Sequence, residues 1–246
     1  WDKEGIMALV KKTYIKGNLK VGFEISATGA VKHAEGAAVD EETLVMGIVN
    51  LVPASIKKWV SISDEANDLS GEAYLRYIYD ELAYQIAKKA ADELVASIEA
   101  CGTVSTTTCP SVPILTEASI GMGTIAKAIS QLSDSAANPT IMMNKATWSH
   151  FKAVQYNNGY AADPFEGLNV VFNNTISAYS AATTGDTYCI VGDLGQGAIA
   201  NFPNGNDIQF KYDDLTLAAS DLVRVIGREF VALGAVAPDH FVKIQK

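Results

Sequence analysis

The sequence predicts an α+β fold, and three observations carry that prediction. An extended, alternating stretch near the N-terminus precedes one very long helical pattern, shorter helical patterns follow it, and the last third of the chain is a succession of short β-patterned runs. Helices and strands segregated in this way define α+β architecture, whereas a parallel doubly wound sheet requires regular βαβ alternation. The composition agrees with a packed chain. Of 246 residues 48% are hydrophobic and 19% charged, with 19 Gly and 7 Pro spread throughout, which excludes disorder and fibrous repeats.

Each element has its own signal. Residues 18–25 alternate apolar side chains at Leu19, Val21, Phe23 and Ile25, then meet the small residues 26–29, so a strand enters a turn. A second extended piece reaches Glu35, and after the small and acidic stretch 36–42 an apolar run over 43–52 returns as a strand. Such an arm cannot bury both faces on its own chain and is marginal alone in water, so it predicts another surface to lie on. Residues 55–63 form a further strand pattern before an acidic segment, 64–68.

Over 71–100 apolar residues recur every three or four positions (Leu75, Ile78, Leu82, Ile86, Ala90, Leu94, Ile98), with Glu72, Arg76, Asp80, Lys88 and Glu93 largely off that stripe. This is a helix of roughly 40 Å at 1.5 Å per residue, capped by Ser70 and ended by Gly102. The polar, Pro-punctuated stretch 103–113 is a connection and a domain boundary. Helical patterns follow at 117–135 and 145–156 with a short strand, 140–143, between them. Strands are then predicted at 168–173, 187–192, 197–202, 207–212, 221–236 and 240–244.

Charge and cysteine usage narrow the function. With 19 Lys and Arg against 28 Asp and Glu the net charge is −9, which argues against a surface that grips nucleic-acid phosphates or an anionic bilayer. Cys101, Cys109 and Cys189 are odd in number and lack CxxC spacing, so they predict neither a disulfide framework nor a zinc cluster and point to a reducing compartment. No apolar run approaches the roughly 20 residues of a membrane span, and no signal-peptide pattern opens the chain.

Catalytic signatures are weak. Gly121, Gly123 and Ala126 match a G-x-G-x-x-A dinucleotide loop, but 114–119 does not read as the buried strand that must precede one. The cluster Gly192, Gly195 and Gly197 reads as a hairpin turn. His33, His150 and His240 lie on different elements, and His150 reads as a structural hydrogen-bonding residue. Asp40, Glu41 and Glu42 could offer oxygens to a hard cation, but adjacent strand residues face opposite ways, so a solvated turn or a partner-facing charge patch is the stronger reading. Asn173-Asn174-Thr175 matches a glycosylation sequon of little weight without an export signal. No nucleophile–base pairing can be built from the sequence.

The segment 30–71, with Ala34-Glu35-Gly36 near its tip and Ile56 to Ser63 on its return, resembles the extended loop and spine-helix entry of the major capsid proteins of tailed bacteriophages, the Hong Kong 97 fold family. Residues 138–246 resemble the rest of that fold: Pro139 to Phe151 its strand-then-helix element, Gly167 to Val171 the strand after it, Val191-Gly192-Asp193 a Gly-Asp strand end, and Val223 to Ile244 the terminal strands. The resemblance implies an N-terminal arm at 1–17 and an extended loop at 18–51. It implies a peripheral domain from 52–105 and 210–246 with a spine helix at 71–100, and an axial domain at 106–209. It implies self-assembly into pentamers and hexamers of an icosahedral head around double-stranded DNA. Such a head is built in the bacterial cytoplasm and resides in the virion, with portal, scaffold or protease partners and no cofactor, metal or membrane. Intersubunit contacts are expected at Lys32, His33, Glu35, Asp40, Glu41 and Glu42.

Some family members weld subunits by a Lys–Asn isopeptide bond promoted by a Glu. Here 36–39 fall at the loop tip with Lys32 the nearest lysine, and Asp221 replaces the Asn although Glu229 matches the acid, so no crosslinking is expected. A scaffolding region ahead of Trp1 is expected to be removed by proteolysis. Two alternatives remain: an encapsulin, a nanocompartment shell of the same fold that holds cargo enzymes, and a nucleotide-binding enzyme using the Gly121 loop.

Overall fold

The computed structural model describes residues 5–246 apart from 30, 31, 33, 34, 36–40, 42, 64, 66–71, 161, 206 and 217–219. Its organising element is β11 (Leu222–Ala235), whose residues alternate half-buried and buried along most of its length. One edge of β11 pairs antiparallel with β4 (Ala54–Ser63) from Leu222 to Val231. The other edge pairs first with β10 (Gln209–Asp213) and then with β9 (Ala198–Asn201), to which β1 (Lys11–Thr13) adds in parallel. The extra strand at the N-terminus is held by a buried amide. Asn201 accepts from the Thr13 hydroxyl and the Ile15 N–H and donates to the Ile15 carbonyl.

The helix α2 (Glu72–Ala100) lies on this sheet. The predicted stripe holds, with Leu75 half-buried and Ile78, Leu82, Ile86, Ala90, Leu94 and Ile98 buried, and its flank widens toward the C-terminus, where Ala87, Ala91 and Val95 are buried too. The widening has a cause: the last turns sit in one core shared with a second sheet, against Met142, Ile190 and Phe241. Ser70, the expected cap, lies outside the described residues.

That second sheet has the order β5 (Ile114–Thr116), β12 (Phe241–Gln245), β8 (Thr187–Gly192), β6 (Thr140–Met143), β7 (Asn169–Phe172). Its inner strands are covered on both faces, which is why they are largely apolar, with Lys243 on β12 the one charge among them. The face away from α2 packs Ile141, Met143, Val191 and Val242 against α3 (Thr124–Ile129) and α4 (Lys145–Asn157). Asn144 caps α4 by accepting from the Ala146 N–H.

Several expectations are corrected. The helix expected over 117–135 is only Thr124–Ile129, because Gly121 and Gly123 precede it and the Ser130 and Ser133 region turns away in single hydrogen-bonded turns. Residues 114–116, read as non-strand, form the edge strand β5 on β12. The glycines 192–197 do not close a hairpin: β8 and β9 belong to different sheets, joined by the short helix α5 (Leu194–Gly197). A one-turn helix α1 (Ile6–Leu9) buries Ile6 and Met7 in the shared core.

The cysteine reading is also overturned. Cys101 and Cys109 form a disulfide across the turn that follows α2. The turn, closed by the Thr106 N–H donating to the Cys109 carbonyl, brings their Cα atoms to 6.0 Å. Cys189 is free and buried, and burial raises its thiol pKa far above the ordinary range.

Candidate functional site

The arm expected from the sequence is a two-stranded ribbon, β2 (Leu19–Ala27) against β3 (Leu44–Leu51). Its faces differ. Phe23, Val49 and Leu51 point into a small core with Ile199, Ala232 and Val236, so the base of the arm is anchored on its own chain. Leu51 rests on Gly234, where an added Cβ would lie 2.6 Å from its methyl carbon. The opposite face carries Leu44, Met46 and Ile48, which are 57%, 57% and 53% exposed. Three large apolar side chains on one exposed face form an apolar patch of the kind that marks interaction surfaces. The backbone of Ile48 also donates to the Thr107 carbonyl, tying the arm to the disulfide-closed turn.

Of the expected contact residues, Lys32, Glu35 and Glu41 are described and exposed, while His33, Asp40, Glu42 and the tip 36–39 lie outside the described residues. Among the described residues no group of three or more His, Cys, Asp or Glu could hold a metal. No helix there is long and apolar enough to cross a membrane.

Where the arm meets both sheets there is a polar cleft of about 470 Å³ lined by Gly22 to Ile25, four serines and the turn before β12. His240 is buried here with both ring nitrogens engaged: Nδ1 lies 2.8 Å from the Pro238 carbonyl and Nε2 3.2 Å from the Ser135 hydroxyl. Ser111 donates to Asp239, whose backbone sits at φ 55. Sequence reasoning missed this Ser–His pair because 105 residues separate its members. It acts as a joint, holding the chain after α3 to the turn that launches β12.

The Gly-Asp strand end also has a physical reason. Gly192 approaches so closely that a Cβ would overlap the Phe241 ring and the His240 carbonyl. Asp193, buried, accepts from the Gly195, Gln196 and Asn138 N–H groups and so starts α5. The Gly121 loop builds no phosphate cradle, since it opens a six-residue helix and the Gly121 N–H is taken by the Thr124 hydroxyl. Asn173 of the sequon is buried and bonded to Asp92 and the Thr175 N–H. His150 stacks edge-on with Tyr179 at 5.1 Å, a structural placement.

Two buried charges escaped the sequence reading. Lys243 on β12 donates to the Glu99 and Cys101 carbonyls at 3.0 and 2.6 Å, so a cation from the last strand caps the C-terminus of α2. Burial lowers its pKa, partly opposed by Glu99, whose own pKa burial raises. Glu229 faces the helix side of β11, 4% exposed, and among the described residues no side chain pairs with its carboxylate, which only the backbone N–H of Phe230 favours. Burial pushes its pKa up to about 7, opposed by the Phe230 backbone N–H and aided by the Asp207 charge. Asp221, in the left-handed region at φ 50, is exposed.

A tied-down arm base, an unpartnered apolar arm face and side-chain clusters spent on joining elements define a structural protein built to contact others. Solved structures that share this fold include phage and GTA capsids. "Capsid of empty GTA particle computed with C5 symmetry" matches with TM-score 0.81 at 14% identity, covering 98% of this chain and 89% of that one. "Mycobacterium phage Ogopogo" matches with TM-score 0.66 at 14% identity over 98% and 91% of the two chains. "Mycobacterium phage Bobi" matches with TM-score 0.64 at 14% identity over 98% and 90%. No curated protein sequence matches. The family model of the phage capsid family matches residues 2–246, and the chain belongs to that family. Its fold is the Hong Kong 97 capsid fold, and it is a major capsid shell protein.

Proposed function

We propose that copies of this chain assemble into pentamers and hexamers that close into an icosahedral head enclosing double-stranded DNA. The head forms in the host cytoplasm with portal, scaffold and protease partners and becomes the virion shell. In this reading 1–17 is the N-terminal arm and 18–51 the extended loop. The peripheral domain takes 52–105 and 210–246 with the spine helix, and the axial domain takes 106–209; β9 and β12 stitch the two by pairing across those sequence limits. The single observation that carries the proposal is the exposed apolar face of Leu44, Met46 and Ile48 on an arm whose other face is already anchored. Closed rings of heterologous contacts cover such a face without open-ended fibres. The loop contacts at Lys32, His33, Glu35, Asp40, Glu41 and Glu42 belong to the same interface.

The test is size-exclusion chromatography and negative-stain imaging of the purified chain over a concentration series. Megadalton shells are expected, and particles recovered from a host that carries the remaining head genes should protect DNA from nuclease. A monomer that never assembles overturns the reading. Shells that hold a cargo protein and no DNA favour the encapsulin alternative. No covalent ladder is expected on denaturing gels of mature particles, because an Asp stands where the acyl donor would be and Glu229 is turned toward the helix side of the sheet.

A further inference from the structure

The sheet face turned away from α2 carries a charge pattern opposite to that of the chain. Alternation places Val223, Val225 and Val231 toward the helix, and Arg224, Ile226 and Arg228 on the other side. Register then builds rows across three strands: Lys57 opposite Arg228, which is opposite Gln209; Trp59 opposite Ile226, opposite Lys211; and Ser61 opposite Arg224, opposite Asp213. Four cations thus share one face with a single carboxylate, in a chain of net charge −9.

Among the described residues the cations are only partly engaged: the Arg228 Nε donates to the neutral Gln209 amide oxygen at 3.1 Å, and the Thr216 hydrogen bonds, helped by the Arg224 charge, hold the Asp213 carboxyl below its ordinary pKa. No Asp or Glu among the described residues forms an ion pair with Lys57, Lys211, Arg224 or Arg228. The Asp213 carboxylate is taken by the Leu215 and Thr216 N–H groups and the Thr216 hydroxyl. The Arg224 guanidinium lies 4.3 Å over the Trp59 ring, and its Nε has no acceptor among the described residues. Trp59 is itself 55% exposed. Like charges directly opposite across strands, as Lys57 and Arg228 are, destabilise a sheet unless an anion lies between or above them. The arrangement is therefore incomplete in the isolated chain.

We propose that this basic, Trp-centred face is a subunit contact that takes a carboxylate-rich surface of a second copy of the chain. The inference rests on the capsid reading. Charge complementarity selects the occupant: the rest of each copy is more acidic than its net −9, so a neighbour is an abundant anionic surface, and opposite potentials steer and orient association. A contact between a basic face and an acidic region elsewhere on the next copy is heterologous, the geometry that closes rings.

The test compares assembly of the full chain, wild type against Lys57→Glu/Lys211→Glu, two exposed positions with no packing role. A control, Lys16→Glu/Lys89→Glu, makes the same charge change off this face. Circular dichroism and thermal melting of unassembled subunits establish that the variants fold. The expected result is at least a tenfold rise in the concentration needed for half-assembly of the patch variant, a smaller rise for the control, and wild-type assembly that weakens from 50 to 500 mM salt, as exposed charge pairs must. Equal behaviour of patch variant and control overturns the proposal. So does normal assembly of the patch variant coupled to loss of wild-type binding to a 30-base-pair duplex, which assigns the face to nucleic acid. Wild type that forms no particles overturns the capsid reading itself, whereas particles from both proteins at equal concentration overturn only this contact.

Discussion

Glu229→Gln should flatten the pH dependence of subunit stability. The Glu229 carboxyl is 4% exposed with no side-chain partner among the described residues, and its pKa rises from 4.5 to about 7 on folding. The folded state therefore holds the proton more tightly than the unfolded chain does. Below pH 4.5 the group is neutral in both states and the favourable contribution is complete. Between pH 4.5 and about 7 the unfolded chain ionises first and stability falls; above 7 the loss is complete and constant. At about 1.36 kcal/mol per pKa unit, the full loss is about 3 kcal/mol. Glutamine cannot ionise, but its buried amide carries its own fixed cost, so the quantity to measure is the change in the difference between the two proteins. Urea denaturation of unassembled subunits at pH 4.5, 6 and 8 should show the variant gaining about 3 kcal/mol on wild type between the lowest and highest pH. A difference that stays constant across this range refutes the assignment of a neutral, buried Glu229.

Three further perturbations test the joints of the fold. Lys243→Met removes the cation from two buried carbonyls at the end of α2 and should cost about 2–4 kcal/mol in urea denaturation, since buried acceptors left unpaired lose about 1–3 kcal/mol each. Gly192→Ala drives a methyl into the Phe241 ring and the His240 carbonyl and should cost about 3 kcal/mol or leave the protein insoluble, read by melting temperature and soluble yield. Cys109→Ser opens the eight-residue loop after α2 and should cost about 2–3 kcal/mol, matched by wild type in reductant.

What the sequence made legible follows from what each signal depends on. Long periodic elements were readable because their pattern is set by one large surface: α2 by the sheet beneath it, and β8, found over the expected residues 187–192, by burial on both faces. The helix expected over 117–135 failed because its apolar period is real while Gly121 and Gly123 make helix costly there, and the same side chains pack from turns instead. Long-range pairs were invisible for a different reason. Ser135 and His240, Asn201 and the N-terminal strand, and Lys243 and the end of α2 meet only once both sheets exist. Lys243 did leave a trace as the one charge in β12, as did Glu229, the one carboxylate in β11, on the alternating positions otherwise held by Val223, Val225, Gly227 and Val231. Such interruptions are worth reading as joints or strained sites and not as noise.

The energetics of the arm explain why this chain is suited to collective assembly and ill suited to a simple dimer. Leu44, Met46 and Ile48 are each a little over half exposed. Complete burial of such a side chain is worth about 1.5–3 kcal/mol, so covering their remaining surface gains roughly 3–5 kcal/mol in all. Pairwise association costs an estimated 4–15 kcal/mol in lost translational and rotational freedom, so one arm on one neighbour comes close to balance or falls short. In a ring each copy both gives and receives an arm, and the closing contact forms between subunits already held in place, at high effective concentration. A weak apolar contact of this size keeps single encounters reversible, allowing misplaced subunits to leave, while a closed shell holds through the number of its contacts. Additional net affinity from a charged face such as that around Trp59 is case-dependent, but its orienting effect is general, and that is what a chain required to close at defined angles needs.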